Sequence, residues 1–198
     1  MKQKKSGKGK IIGFGLLGIL ALLALVLGII AYRTMPVYPA FEKPVESVDR
    51  LRENLSESET AKDCVVPDPA IFGAEPDEIV VKLSGRNRNS AAIGYGMSCS
   101  NGNLPDYMGW WLSCLPAKNT IEPADSDYRN HKCSLSNGEV PSGGRYLSLD
   151  ILVGDYVYRI EFSYDPSGLT QEQQSQQEKT LQKYLYAAAD QIIDGTEK

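Results

Sequence analysis

Polar and apolar positions fall into three regimes along the chain: an unbroken apolar run, helical spacings of three and four, and strand-like alternation. The unbroken run is Ile11–Ala31, 21 residues with no charged or strongly polar side chain. At about 1.5 Å per residue a helix of that length spans roughly 31 Å, the thickness of a bilayer's hydrocarbon core. A transmembrane helix over residues 11–32 is therefore expected, with the lipid bilayer as its partner. A cleaved signal peptide fits less well: such cores run about 7–15 residues and end at a small-x-small site. Here Ile29 occupies the third position before a cut after Ala31.

Helical spacing returns after the prolines. Residues 33–43 contain Pro36 and Pro39, which lock φ and remove donors, so an extended spacer is expected there. From Pro44, the positions Val45, Val48, Leu51 and Leu55 recur at three and four, which predicts a short amphipathic helix ending near Ser58. At the other end, Thr170-x-x-Gln173 reads as a capping box. Leu181, Leu185, Ala188 and Ile192 then mark one helix face, and Gly195 reads as the stop.

Between the two helices the period falls to two. Glu78–Ser84, Ser90–Ser98 and Tyr107–Leu115 read as strands separated by Gly, Asn and Pro turns. On the third, Met108, Trp110, Leu112 and Cys114 form one face, and Tyr107 and Trp111 lie on the other. The firmest local pattern is Tyr146–Val153, Gly154-Asp155, Tyr156–Tyr164. A two-residue loop sets Val153 opposite Tyr156, Ile151 opposite Tyr158, Leu149 opposite Ile160 and Leu147 opposite Phe162. The reverse face then pairs Asp150 with Arg159 and Ser148 with Glu161, and a slip of one residue would drive carboxylates into the core. An α+β class follows: an antiparallel sheet packed against one or two helices, in one domain over residues 44–198.

Charge sets the direction of the anchor. Five lysines and no acid fall in residues 1–10, so this tail is expected to stay in the cytoplasm. With those lysines set aside, sixteen Lys and Arg face 25 Asp and Glu, a formal charge of −9. Such an acidic outer domain argues against nucleic acid as a partner.

All four cysteines, Cys64, Cys99, Cys114 and Cys133, follow the apolar run, which reads as two disulfides in an oxidising space. Four cysteines allow three pairings. The favoured one joins Cys114 to Cys133, tying down the long loop between them, and Cys64 to Cys99; the alternatives stay open. Spacings of 35, 15 and 19 between successive cysteines match no common zinc pattern, and no metal or other cofactor is expected.

Candidate chemistry is sparse. Gly13-x-Gly15-x-x-Gly18 lies in the apolar run, where a dinucleotide loop cannot operate. Asp125-x-Asp127 opens like a calcium loop, but Arg129 and Asn130 stand where an oxygen ligand and a glycine belong. His131 is the chain's one histidine, and any triad or thiol mechanism would have to use it. It lies in the stretch Pro116–Gly144, expected to be one long loop that is either functional or held by a disulfide. Tyr107 and Trp111 are expected to be covered by the long loop, the commoner fate of large aromatics; left outward, they could stack on a sugar or a protein partner. With Arg129 and His131 they make the candidate ligand surface, and no catalytic residue is assigned.

Three strings carry a family resemblance: Val65-Val66-Pro67-Asp68 after a short helix, Gly154-Asp155-Tyr156-Val157-Tyr158-Arg159-Ile160, and Ala189-Asp190-Gln191-Ile192-Ile193. In these the chain resembles uncharacterised extracytoplasmic domains of single-pass, membrane-anchored proteins of Gram-positive bacteria. They cover under half the chain, and the four cysteines stand outside the pattern. The resemblance implies a fold type and no catalytic residue; the apolar run and its flanking lysines imply a cell-membrane location, with the C-terminal domain outside. The expected function is a binding, sensing or scaffold module at the cell envelope, its partner an envelope protein or a glycan. The alternatives are an extracellular enzyme using His131 and an accessory subunit of an envelope complex.

Overall fold

A computed structural model of the chain describes residues 22–28, 39–84, 92–100, 107–140 and 143–197. It divides into two units, Met1–Pro36 and Val37–Lys198. In the first, residues 22–28 are helical, and among the described residues no helix is long and apolar enough to cross a membrane. The rest of the expected span 11–32, the basic tail and residues 33–38 lie outside the described residues.

The second unit is built on eight antiparallel strands: β1 (Pro39–Pro44), β2 (Glu78–Ser84), β3 (Ala92–Cys99), β4 (Gly109–Pro116), β5 (Ser126–Tyr128), β6 (His131–Glu139), β7 (Arg145–Val153) and β8 (Tyr156–Tyr164). They form one sheet in the order β1-β2-β3-β4-β8-β7-β6-β5. Two meanders thus meet where β4 lies beside β8. Residues 117–125 carry the chain from that centre to the far margin. Helix α1 (Val48–Ser56) and helix α2 (Gln171–Thr196) complete the α+β arrangement.

The β7–β8 hairpin has the register expected from its pattern, from Val153 opposite Tyr156 through Leu147 opposite Phe162. Gly154 takes φ +58°, the left-handed conformation a two-residue hairpin loop requires. Leu147, Leu149, Ile151, Tyr158, Ile160 and Phe162 are all buried. Over them α2 sets Leu181, Leu185, Ala188 and Ile192, the expected stripe, with Ala189 and Ile193 widening it. Burying a Leu or Ile contributes about 1.5–3 kcal/mol, so this single stripe outweighs any propensity term in fixing α2. The capping box is present: the Gln173 amide donates to Thr170 Oγ1 at 3.3 Å, and the Thr170 amide to Gln173 Oε1 at 2.8 Å.

Several boundaries differ from expectation for identifiable reasons. Pro39–Pro44 is an edge strand paired with β2, so the spacer expected through Lys43 ends before it. Proline is tolerated there because an edge strand need not donate along its outer side. The Val45 amide then donates to the Ile79 carbonyl at 2.9 Å, extending the pairing, and α1 starts only at Val48, capped by Ser47. Gly195 does not stop α2. It lies within the last turn, where a Cβ would sit 2.7 Å from Val65 Cγ1, so its lack of a side chain serves packing.

The largest departure concerns Pro116–Gly144, which holds β5 and β6 in place of one long loop. The favoured disulfide pairing fails with it. Cys114 pairs across the sheet with Tyr158, Tyr158 with Ile151, and Ile151 with Cys133. Two strands therefore separate the cysteines, roughly 14 Å at about 4.8 Å per strand, whereas a bridge needs Cα atoms within about 7 Å. Cys64 lies against Cys114 instead, sulfur to sulfur at 2.7 Å, and no cysteine is bridged in this structure.

Both margins of the sheet are modified. β1 has proline at each end and a register break between Pro39 and Phe41. β5 is only three residues long.

Candidate functional site

Alternation along β4 decides which aromatic residues face outward. Trp110, Leu112 and Cys114 are buried in the core, which leaves Trp111 on the opposite face, 38% exposed. Trp110 is fixed by its ring 4.5 Å from that of Phe72 and by its indole N–H donating to the Ala74 carbonyl at 3.3 Å. Met108, expected on the core face, is exposed at the strand's entry.

The register lays out the outer face as transverse rows. One row runs Glu78, Ser98, Trp111, Glu161, Ser148, Ser136 across six strands. The adjacent row runs Val80, Gly96, Ser113, Arg159, Asp150, Ser134. Trp111 is thus an indole set among hydroxyl, carboxylate and guanidinium groups. Residues 120–125 pass along the same face, and with Trp111, Asp150 and Arg159 they enclose a cleft of about 430 Å³. A second depression of about 290 Å³ lies on the far side of Trp111, lined by Glu42, Glu78, Lys82 and Ser98.

Glycine shapes this face. A Cβ on Gly96 would lie 2.7 Å from Lys82 Cε, so the Lys82 chain crosses β3 only because none is there. Its ammonium ends 5.2 Å from the centre of the Trp111 ring, within cation–π range, and 3.2 Å from Glu42 Oε1. Gly138 does the same for Tyr146, whose ring lies where a Gly138 Cβ would approach to 2.7 Å. Tyr146 was absent from the sequence candidates. Its signal was a glycine opposite it on β6, legible only once the register is known.

The charges on this face are mutually tied. Arg159 donates from Nε and from its terminal nitrogen to the two Asp150 oxygens at 2.7 and 2.6 Å, a bidentate fork. That fork raises the Arg159 pKa further. Glu161, opposite Trp111, is held above the usual carboxylate range by burial, with Arg159 acting in the other direction. The Ser98 hydroxyl donates to Glu78 at 3.3 Å. The chemistry available is stacking on indole, hydrogen bonding to hydroxyls and carboxylates, and charge pairing.

The four candidate surface residues are not gathered together. Tyr107 is a core residue, its ring 4.8 Å from Phe162 and 6.2 Å from Tyr184. It precedes β4, so strand alternation does not govern it. Arg129 is committed to α2, donating to Asp190 at 3.0 Å and Asp194 at 2.7 Å. His131 opens β6 opposite Tyr128, in the hairpin that Arg129 and Asn130 turn. Cys133, two residues on, is buried with its sulfur 3.2 Å from Ser126 Oγ. Only Trp111 remains on the outer face of the sheet. Among the described residues no group of three or more His, Cys, Asp or Glu converges as a metal site would require. Comparison of the chain with protein-family models, with curated proteins and with solved structures finds no match.

Proposed function

We propose that this chain is a single-pass, membrane-anchored protein whose α+β domain lies outside the cell and binds a saccharide-bearing ligand of the envelope on the outer face of its sheet. The carrying observation is Trp111, a part-exposed indole within a row of polar residues. Aromatic faces stack on apolar faces of a sugar ring while surrounding hydroxyls and carboxylates accept its hydrogen bonds. Of the serines in that row and the adjacent one, Ser98, Ser134 and Ser136 reach the surface, while Ser113 and Ser148 are buried beneath it. The cleft beside Trp111 adds Leu115, Ile121, Pro123 and Val157 to these polar groups, so a ligand with both hydroxyls and apolar ring faces matches it. Anchoring is supported by the apolar run with its five flanking lysines, and by Leu22, Leu25 and Leu27, each more than half exposed on their helix.

Calorimetric titration of the full chain in detergent with soluble envelope oligosaccharides tests the binding reading. Saturable heat that Trp111→Ala abolishes supports it. Equal binding by Trp111→Ala, or no heat with any saccharide, overturns it. Extraction of membranes at alkaline pH tests the anchor, with retention of the full chain in the pellet expected.

A further inference from the structure

We infer that Cys64 and Cys114 form the one intramolecular disulfide of this domain, and that Cys99 and Cys133 remain thiols. The two sulfurs lie 2.7 Å apart, both within the core. Each cysteine is held by contacts that do not involve its sulfur. Cys114 is locked into the centre of the sheet between Tyr95 and Tyr158. Cys64 is held through its neighbours: its amide donates to the Ala61 carbonyl at 3.0 Å, and Val65 is gripped at both backbone groups. Tyr95 Oη donates to the Val65 carbonyl at 2.7 Å, and the Val65 amide donates to Tyr158 Oη at 2.9 Å. The scaffold therefore delivers the two sulfurs to each other whether or not a bond joins them.

The sheet excludes the other pairings. Cys114 and Cys133 are three strand spacings apart, as described above. Cys99 sits on β3, four residues along from the Tyr95 that faces Cys114, roughly 13 Å at about 3.3 Å per residue. It is four strand spacings from β6 and so cannot meet Cys133 either.

Oxidation proceeds by thiol–disulfide exchange with a disulfide-bearing oxidant, either a thiol–disulfide oxidoreductase or a small molecule such as oxidised glutathione. One cysteine thiolate attacks the oxidant's disulfide, forming a mixed disulfide and releasing one thiol; the second cysteine then displaces the other. The chain loses two electrons and two protons, and the oxidant gains them as two thiols. Burial pushes the Cys114 thiol well up, so exchange is slow in the folded state and the bond closes as the chain folds. Nothing in this pairing depends on what the outer face binds.

The test is to unfold the full chain in urea with reductant, refold it in detergent with a glutathione redox couple, alkylate under denaturing conditions and digest with trypsin and chymotrypsin together. The second protease is needed because one tryptic peptide carries both Cys99 and Cys114. The expected result is a peptide pair joined through Cys64 and Cys114, with Cys99 and Cys133 alkylated and two thiols titrating per chain in denaturant. A Cys99→Ser/Cys133→Ser variant should refold with no titratable thiol and still shift in mobility on reduction. A joined Cys64–Cys99 or Cys114–Cys133 pair, or four alkylated thiols in refolded chain, overturns the assignment.

Discussion

Gly96 and Lys82 occupy the same space by turns: the Lys82 chain fills the volume that a side chain on Gly96 would need, with Cε 2.7 Å from the position of its Cβ. The ammonium reaches the Trp111 ring through that vacancy. Gly96→Val is therefore expected to lift Lys82 off the indole while leaving the core side of β3 unchanged. In a Trp110→Phe background, where Trp111 is the only indole, its fluorescence should shift. Saccharide affinity should fall several-fold, and the melting temperature should move by only a few degrees.

Gly94 has the opposite character. A Cβ there would lie 2.1 Å from the Cys114 carbonyl oxygen, an atom of the sheet backbone that no rotamer can move. Gly94→Ala should cost more than about 2 kcal/mol, among the larger single-residue effects. Urea titration would give the loss, and hydrogen exchange should show it concentrated where β3 meets β4.

Asn130 turns the β5–β6 hairpin at φ +68°, beside Arg129 at φ +49°. A left-handed position costs an ordinary L-residue about 1–2 kcal/mol and costs glycine nothing. Asn130→Gly should leave stability unchanged or slightly raised, and Asn130→Val should lower it by that amount. Arg129→Ala, which removes both ion pairs to α2, should speed hydrogen exchange in β5 and β6 most at low salt, since screening weakens the pairs it deletes.

Tyrosine ionisation limits the alkaline range. Burial, reinforced for Tyr164 by the phenol's hydrogen bond to Glu178, pushes Tyr156 and Tyr164 from 10.0 up to about 12. Tyr95 and Tyr158 are raised as well, again chiefly by burial. The fold holds Tyr156 and Tyr164 neutral, so their contribution is whole below pH 10 and is lost as pH rises through about 12. Melting temperature should hold to about pH 10 and then fall, with phenolate absorbance appearing in step with unfolding.

How far the sequence carried depends on burial. The β7–β8 hairpin was legible residue by residue because one of its faces is wholly apolar and the other pairs opposite charges. The α2 stripe was legible for the same reason. β6 was not: of its nine residues only Cys133 is buried, and a strand with polar groups on both faces leaves no alternation to read. Missing β6 turned two strands into a loop and gave Cys133 a partner it cannot reach. Trp111 was placed on the face opposite Trp110 because β4 alternates, but the expected cover by the long loop is incomplete, since it is 38% exposed. Tyr107 was misplaced because it lies before the strand begins. The rows of serines and the Lys82 chain over Gly96 depend on cross-strand register, which no single strand encodes.

The two margins of the sheet have a consequence for life at high local density. Copies held side by side, as the proposed anchor would hold them, risk joining strand to strand into fibres, and a long flat border would template that growth. The prolines and register break of β1 remove such a border at one end; at the other, β5 covers only His131–Cys133 of β6 and leaves residues 134–139 of that strand as the outer border. The blunting of β1 denies a peptide ligand a place to join there as a ninth strand. With joining through β1 prevented, copies crowded by the proposed anchor would engage one saccharide polymer together through their Trp111 faces, and weak contacts at each copy would sum into tight attachment of the whole array.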